Sequence, residues 1–373
     1  MVGAGRHQRR AILRAQELGL RVVGVDRNRE APGLAVADVG EVVDFTDVGE
    51  VTEVGRKYSV DGVLTVSADR AVPVVAAVAE TLGLPGIGTA TAHAMTNKIA
   101  MRRLLAERGV TQPAFAALRT IGERRAALAE TGLPAVLKPA DSGGQRGVFR
   151  IESLDDLESH LHAALAESAT GEAIVESFHE GLELNGLAVA RNGEVKLLTL
   201  SDRLRPPGIG FGVGWTHVYP STLFGDTLAR AEDTTVRAIH ALGLRNGIAF
   251  PQVIVSDDGE CLVVEVALRL ALGLDLPDDV AKPRFTQPLA IKFLTASPGP
   301  LPTGRIVSVG SLDKVLAFPG VVQAELYLQP GETIRPVRLD GDRRGYVIAV
   351  ADTNVEALER AEAAARLVDV IVE

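Results

Sequence analysis

Residues 136–148 read VLKPADSGGQRGV. An apolar, strand-like run ends on Lys138, passes a proline and enters a loop holding Gly143, Gly144, Arg146 and Gly147, with no large apolar side chain before Val148. A lysine closing a buried run requires a counter-charge or a route to the surface, because an unpaired ammonium in a dry site is costly. The glycines let backbone N–H groups approach a ligand closely, and successive N–H groups in a turn form an anion-binding nest. Phosphate accounts for both features, although the G-x-x-x-x-G-K-[ST] order of a Walker A loop is absent. The flanking runs PAVLKP and GVFRI make the segment a β-hairpin cover rather than a crossover unit.

Upstream, the sequence reads differently. LRVVGVD ends as a strand at Asp26, EVVDFTD and DGVLTV follow as strands, and AVPVVAAVAETLGL has helical length and spacing. Strand then helix, repeated, predicts parallel βαβ units over residues 20–90. Gly3-Ala4-Gly5, followed by Asp26 about twenty residues on, imitates a dinucleotide fingerprint, but Gln8 stands where the third glycine belongs. A nicotinamide-dependent oxidoreductase is therefore one rival reading, and it leaves Lys138 without work.

Downstream of the glycine loop come the helix SLDDLESHLHAAL, the strand EAIVESF and a hairpin across Asn192-Gly193. The stretch 203–221, RLRPPGIGFGVGWTHVYPS, reads as a long mobile loop; residues 225–243 form a helix, and GIAFPQVIVSDDGECLVVEVALR is an antiparallel hairpin across Asp258-Gly259. Strand alternation turns Gln252 and Glu265, on its two arms, to one side, and two converging oxygen donors suit Mg²⁺. A solvated cross-strand pair is the plainer alternative. Arg269, four residues beyond Glu265, could clamp a carboxylate or a transferring phosphoryl group. The tail, 303–373, predicts a small α+β appendage with strands in VQAELYL and RGYVIAVA and a final helix.

Bulk properties narrow the class. The 373 residues are 46% hydrophobic and 23% charged, which fits a globular protein of several packed units and excludes a disordered chain. The net charge of −9, with basic residues scattered, gives no footprint for nucleic acid or an anionic membrane. Cys261 is the single cysteine, so an internal disulfide and a cysteine zinc site are both out, and its apolar setting reads as a small buried hydrophobe. Without an apolar leader or a membrane-length run, the expectation is a cytoplasmic protein.

The lysine with its glycine loop, the IVES strand and the carboxylate hairpin ending in arginine together resemble the ATP-grasp superfamily of carboxylate–amine ligases, over nearly the whole chain. That resemblance implies an α/β and α+β architecture: a Rossmann-like pre-ATP-grasp domain at 1–96, a lid subdomain at 97–180, a large catalytic subdomain at 181–302 and a small C-terminal α+β subdomain at 303–373. NKIAMRRLLAERGVTQP resembles the segment leading into the grasp, IVESFHEGLEL the adenine hinge, and the 247–269 hairpin the metal site. HVYPS and GYVIAV look most like the branch of bacterial L-amino-acid ligases.

The same resemblance implies ATP and Mg²⁺ as cofactors, small carboxylate and amine substrates, and a homodimer. Lys98 and Lys138, with the loop Ser142, Gly143, Gly144 and Gln145, would contact the phosphates. The backbone of Glu176, Ser177 and Phe178 would read adenine, and Glu183 would accept from the ribose hydroxyls. Gln252 and Glu265 would hold Mg²⁺, Arg269 would stabilise an acyl phosphate, and His217 would lie near the reacting groups. A structural role is the alternative for His217, and Trp215 either lines an acceptor pocket or pins its loop. The loops 142–147 and 208–214 are candidate lids. Two departures stand out: Ala267 replaces an asparagine that many members carry as a metal ligand, and Ala271-Leu272-Gly273 replaces a glycine pair. They leave open a degenerate member that binds nucleotide without turnover, or a purine-pathway-like or carboxylase-like ligase.

Overall fold

The computed structural model describes residues 1–205, 214–270 and 287–373, apart from the side chains of 268–270. The N-terminal unit follows the predicted alternation on a reduced scale. Val23–Asp26 and Val39–Val42 pair in parallel, Val2 bridges to Val25, and the helices Arg6–Glu17, Val48–Lys57 and Val72–Leu82 flank them. Residues 61–66, expected as a strand, run beside Val2 and are tied to it by single contacts: the Val2 N–H donates to the Leu64 carbonyl and the Thr65 hydroxyl to the Val2 carbonyl. Val2, Val25, Val51, Val54, Val75 and Val78 fill this unit's core.

A four-stranded antiparallel sheet follows, in the order Phe115–Leu118, Ala173–Ser177, Ala135–Pro139, Phe149–Ile151. The hairpin expected around the glycine loop is therefore present. Helices Arg124–Thr131 and Leu154–Ala166 cover one face, burying Leu118, Leu137, Ile151, Leu157, Leu161 and Val175. Strand alternation turns Val136, Lys138, Ile174 and Glu176 to the other face, where Ile174 packs on Ile99 of the helix Lys98–Glu107.

The largest sheet has eight antiparallel strands in the order 261–270, 247–255, 182–191, 194–204, 216–219, 289–293, 345–350, 321–326. Both predicted hairpins lie in it, the first turning at Asn192 and Gly193, each with positive φ. One expectation is corrected. Thr216–Tyr219 is a strand inside the supposed loop: Thr216 and Val218 are buried while His217 and Tyr219 face the other way. In the tail, Val321–Leu326 and Gly345–Val350 extend this sheet while Gly304–Val309, Thr333–Ile334 and Val370–Val372 form a small one.

Helices Gly225–Ala241 and Asn354–Ala365 cover one face of the eight strands, against Leu184, Val253 and Val263 and against Val218, Ala290 and Ala349 respectively. Cross-strand register places Glu265, Gln252, Asn185, Ser201, Arg203, His217 and Phe293 on the opposite face. Among the described residues no helix is long and apolar enough to cross a membrane.

Candidate active site

The uncovered faces of the four- and eight-stranded sheets meet in an open cleft of about 880 Å³. Lys98, Lys138, Ser142, Gly143, Gly144, Gln145, Glu176, Ser177, Phe178, Glu183, Gln252 and Glu265 all line it. The two lysines reach it by different routes. Asn97 caps the helix Lys98–Glu107, its side chain accepting from the Ala100 N–H, so Lys98 sits on the first turn. Its ammonium donates to the Ser142 carbonyl at 2.7 Å and lies 3.7 Å from Glu265, tying the glycine loop to the carboxylate hairpin.

Lys138 closes its strand with its ammonium 2.6 Å from Glu176 Oε2, and Arg102 Nε lies 2.9 Å from the other oxygen. The counter-charge that a buried lysine requires is thus Glu176, two residues along the neighbouring strand from Ile174, the direct partner of Lys138. Arg102 is 0% exposed and also donates to the carbonyls of Val263 and Val264, each at 2.7 Å. Burial pushes the Glu176 carboxyl up, but the charges of Arg102 and Lys138, with a hydrogen bond from each, outweigh it and hold the group at about 2.

Gln252 and Glu265 are direct partners in the hairpin register, as alternation required. An amide oxygen and a carboxylate side by side, facing a lysine-lined cleft, are a donor set suited to Mg²⁺ that also binds phosphate oxygens. Glu183 is engaged otherwise: Arg203 Nη1 donates to one oxygen at 2.7 Å and Arg205 bonds the other. A carboxylate offers about four lone-pair sites, so acceptor capacity remains on both oxygens. At the expected hinge, the N–H groups of Ser177 and Phe178 already donate to the carbonyls of Ala114 and Pro134. Those two amides are committed to the fold.

The glycine loop is bent by Gly144, Gln145 and Gly147, with φ of 72°, 65° and 66°. Gln145 holds a left-handed conformation that costs a side-chain-bearing residue. Gly143 abuts the N-terminal unit: a Cβ there would lie 2.1 Å from Asp69 Oδ2. Ser142 Oγ and Gln145 Oε1 are buried with no hydrogen-bond partner, as expected of groups shaped for a ligand.

His217 is not among the cleft-lining residues; it reaches the cleft through Asn185, whose Nδ2 lies 2.9 Å from His217 Nδ1. Trp215 is buried against Val337, so its role is to pin the chain rather than to line the cleft. Cys261 is buried and its thiol is pushed up by burial, in line with a packing role. The side chain of Arg269, residues 208–213 and Ala271-Leu272-Gly273 lie outside the described residues. The dinucleotide reading fails on geometry. Asp26 accepts from Ala4 N and Asn28 N, and Gly33 packs so tightly on the Gly3–Gly5 turn that a Cβ would sit 2.5 Å from the Ala4 carbonyl.

Arg203 and Arg205 escaped sequence reading, as did two residues whose spacing marks them. Arg102 lies four residues after Lys98 and shares its helix face; Asn185 lies two residues after Glu183 and shares its strand face. Each spacing was a usable signal.

Comparison with known proteins agrees with this layout. Residues 13–86 match the family described as ATP-grasp N-terminal domain, residues 104–267 D-ala D-ala ligase C-terminus, and residues 300–373 L-amino acid ligase C-terminal domain 2. A formate-dependent phosphoribosylglycinamide formyltransferase from Burkholderia thailandensis is 30% identical over 387 residues, covering 99% of this chain and 94% of the relative. The crystal structure of L-amino acid ligase from Bacillus licheniformis superposes with a TM-score of 0.83 at 20% identity, over 99% of this chain and 97% of that one. The biotin carboxylase domain dimer of Hydrogenobacter thermophilus 2-oxoglutarate carboxylase, in complex with MgADP, ADP and bicarbonate, superposes at 0.74 with 17% identity, over 99% and 89%. The chain belongs to the ATP-grasp family and is an ATP-dependent ligase.

Proposed function

We propose that this ligase joins a small carboxylate, an amino acid or a related acid, to an amine through an acyl phosphate, releasing ADP and phosphate. The observation that carries the reading is the convergence of Lys98, Lys138, the glycine loop, Gln252 and Glu265 on one cleft. Carboxylate is a poor electrophile, so activation is the demanding step.

The adenine lies towards residues 176–178, the ribose towards Glu183, and the phosphates beneath Lys98, Lys138 and the loop 142–147. Gln252 and Glu265 hold Mg²⁺, which when bound supplies neutralisation of phosphate charge. The lysines and the loop N–H groups balance the charge moving with the phosphoryl group, and positioning does most of the rest. Arg269 stabilises the acyl phosphate, His217 takes the proton of the attacking amine, and closure of the glycine loop keeps water from the intermediate.

Units at 1–96, 97–180, 181–302 and 303–373, a homodimer and a cytoplasmic location complete the reading. They are supported by the changes of pattern along the sequence, the neighbour described as a dimer and the acidic, single-cysteine composition. The match at 300–373 favours amino-acid substrates. The formyltransferase relative supports a second reading, a purine-pathway or carboxylase-like ligase acting on a different acid.

The test is ADP release from ATP and Mg²⁺ against a panel of acids and amines. Phosphate released only with a carboxylate present supports the ligase. ATP binding without turnover on any acid supports a degenerate binding protein instead.

A further inference from the structure

Glu176 needs one cation, and it has two. Lys138 Nζ lies 2.6 Å from one oxygen and Arg102 Nε 2.9 Å from the other, around a buried carboxyl that stays ionised. Lys138 alone would neutralise it, as Lys98 and Glu265 offset one another at 3.7 Å. The row Arg102–Glu176–Lys138 therefore carries one positive charge in excess, and among the described residues no second carboxylate pairs with either cation. A surplus charge held in a protein interior is costly, so it calls for a reason.

The two cations are not equivalent. Arg102 is built into the fold: besides Glu176, its guanidinium donates to the carbonyls of Val263 and Val264 at 2.7 Å and to Gln112 Oε1 at 3.4 Å, and the Gln112 amide donates back to the Arg102 carbonyl. Apart from Glu176 these partners are neutral, so they fix the group without cancelling its charge. Lys138 ends the row at the cleft, where Glu176 takes one of its three N–H groups.

The geometry points to Arg102 as a positioning residue for the nucleotide, acting through Glu176: it holds the carboxylate, so that the phosphates meet Lys138 as a net cation and not as half of a neutral pair. This inference rests on the phosphate contact given to Lys138 above. Without Arg102, the phosphates and Glu176 would compete for one ammonium, and yielding it to the phosphates would strand a buried carboxylate. With Arg102 in place, Lys138 can lean towards the nucleotide while Glu176 keeps a partner. The row lies in a dry interior, so its net charge is little screened before it reaches the cleft.

ATP affinity should then follow the net charge of the row and not the identity of any one member. Lys138→Met and Arg102→Gln each leave the row neutral. Arg102→Lys and the double variant Arg102→Gln/Glu176→Gln keep a single positive charge, and Glu176→Gln adds a second.

Calorimetric titration of the full chain with ATP and Mg²⁺, in the absence of acid and amine, reads this without turnover. Lys138→Met and Arg102→Gln are each expected to raise the dissociation constant about tenfold or more, the scale of one hydrogen bond to a charged group. The double variant should recover most of that loss. Arg102→Lys separates positioning from stability: it keeps the charge but gives up the fork on the two carbonyls, so it should unfold at lower urea than wild type and still bind ATP nearly as well. Glu176→Gln, which leaves Arg102 in place and serves if Arg102→Gln does not fold, should bind ATP at least as tightly as wild type. Wild-type affinity in Arg102→Gln, no recovery in the double variant, binding by Arg102→Lys as weak as by Arg102→Gln, or weaker binding by Glu176→Gln overturns the role of Arg102. Wild-type affinity in Lys138→Met would instead overturn the phosphate contact of Lys138, the reading from which the inference starts.

Discussion

Arg102 and Glu176, 74 positions apart, meet with Nε 2.9 Å from Oε1 in a fully enclosed pair. The same guanidinium holds the carbonyls of Val263 and Val264, the pair immediately before Glu265. One side chain therefore joins the strand of the glycine-loop lysine's partner to the strand of the proposed metal carboxylate. The relative placement of the two sheets, on which the cleft depends, is fixed there.

Removing that guanidinium takes a donor from each of two carbonyls and leaves Glu176 with one cation. Arg102→Met is expected to destabilise the protein by roughly 3–5 kcal/mol, the usual cost of breaking a buried pair. Urea unfolding measures it, and a midpoint equal to that of wild type would show that the contact carries no weight.

Glu176 also gives stability an acid dependence. Its folded value of about 2 lies below its ordinary 4.5, so its contribution is fully present above 4.5 and is lost as pH falls from there towards 2. With 1.36 kcal/mol per unit, the loss is on the order of 3 kcal/mol. Glu176→Gln should be less stable than wild type at pH 7 and show a flatter decline below pH 4.5. Parallel pH curves for the two proteins would contradict the assignment.

Lys138→Met removes the ammonium aimed at the phosphates while Arg102 still holds Glu176. A fall in kcat of roughly 10²–10³ is expected, the scale for losing one preorganised electrostatic contact. Lys138→Arg should recover little, since the compact ammonium and the planar guanidinium are not interchangeable in a close pair. Steady-state ADP release checks both variants, and near-normal turnover in Lys138→Met would remove this lysine from the site.

The approach of Gly143 to Asp69 can be tested as a pair. Gly143→Ala forces the loop or the Asp69 carboxylate to move, because the new Cβ would lie 2.1 Å from Oδ2. A several-fold loss of ATP affinity is expected in Gly143→Ala, with partial recovery in Gly143→Ala/Asp69→Ala; contacting residues of this kind couple by about 0.5–3 kcal/mol. Additive effects in calorimetric titration would mean that the contact does not shape the loop.

Much of this was legible in the sequence where a local pattern coincided with the tertiary role. The hairpin around the glycine loop and the register of Gln252 with Glu265 follow from alternation and turn residues alone. What escaped were relations that alternation does not encode. Glu176 reads as an ordinary strand-end carboxylate until Arg102 is brought to it from another element. Thr216–Tyr219 is too short to stand out beside the glycines, yet burial of Val218 makes it a strand. Nothing local reveals that the tail strand Gly345–Val350 pairs with Leu289–Phe293 and carries Val321–Leu326 on its other edge.

The transfer of oxygen from acid to phosphate tests the central claim most directly. With the acid carrying ¹⁸O in its carboxyl group, turnover through an acyl phosphate places a single ¹⁸O in each phosphate released alongside the amide. Phosphate that emerges unlabelled while amide accumulates would contradict the account.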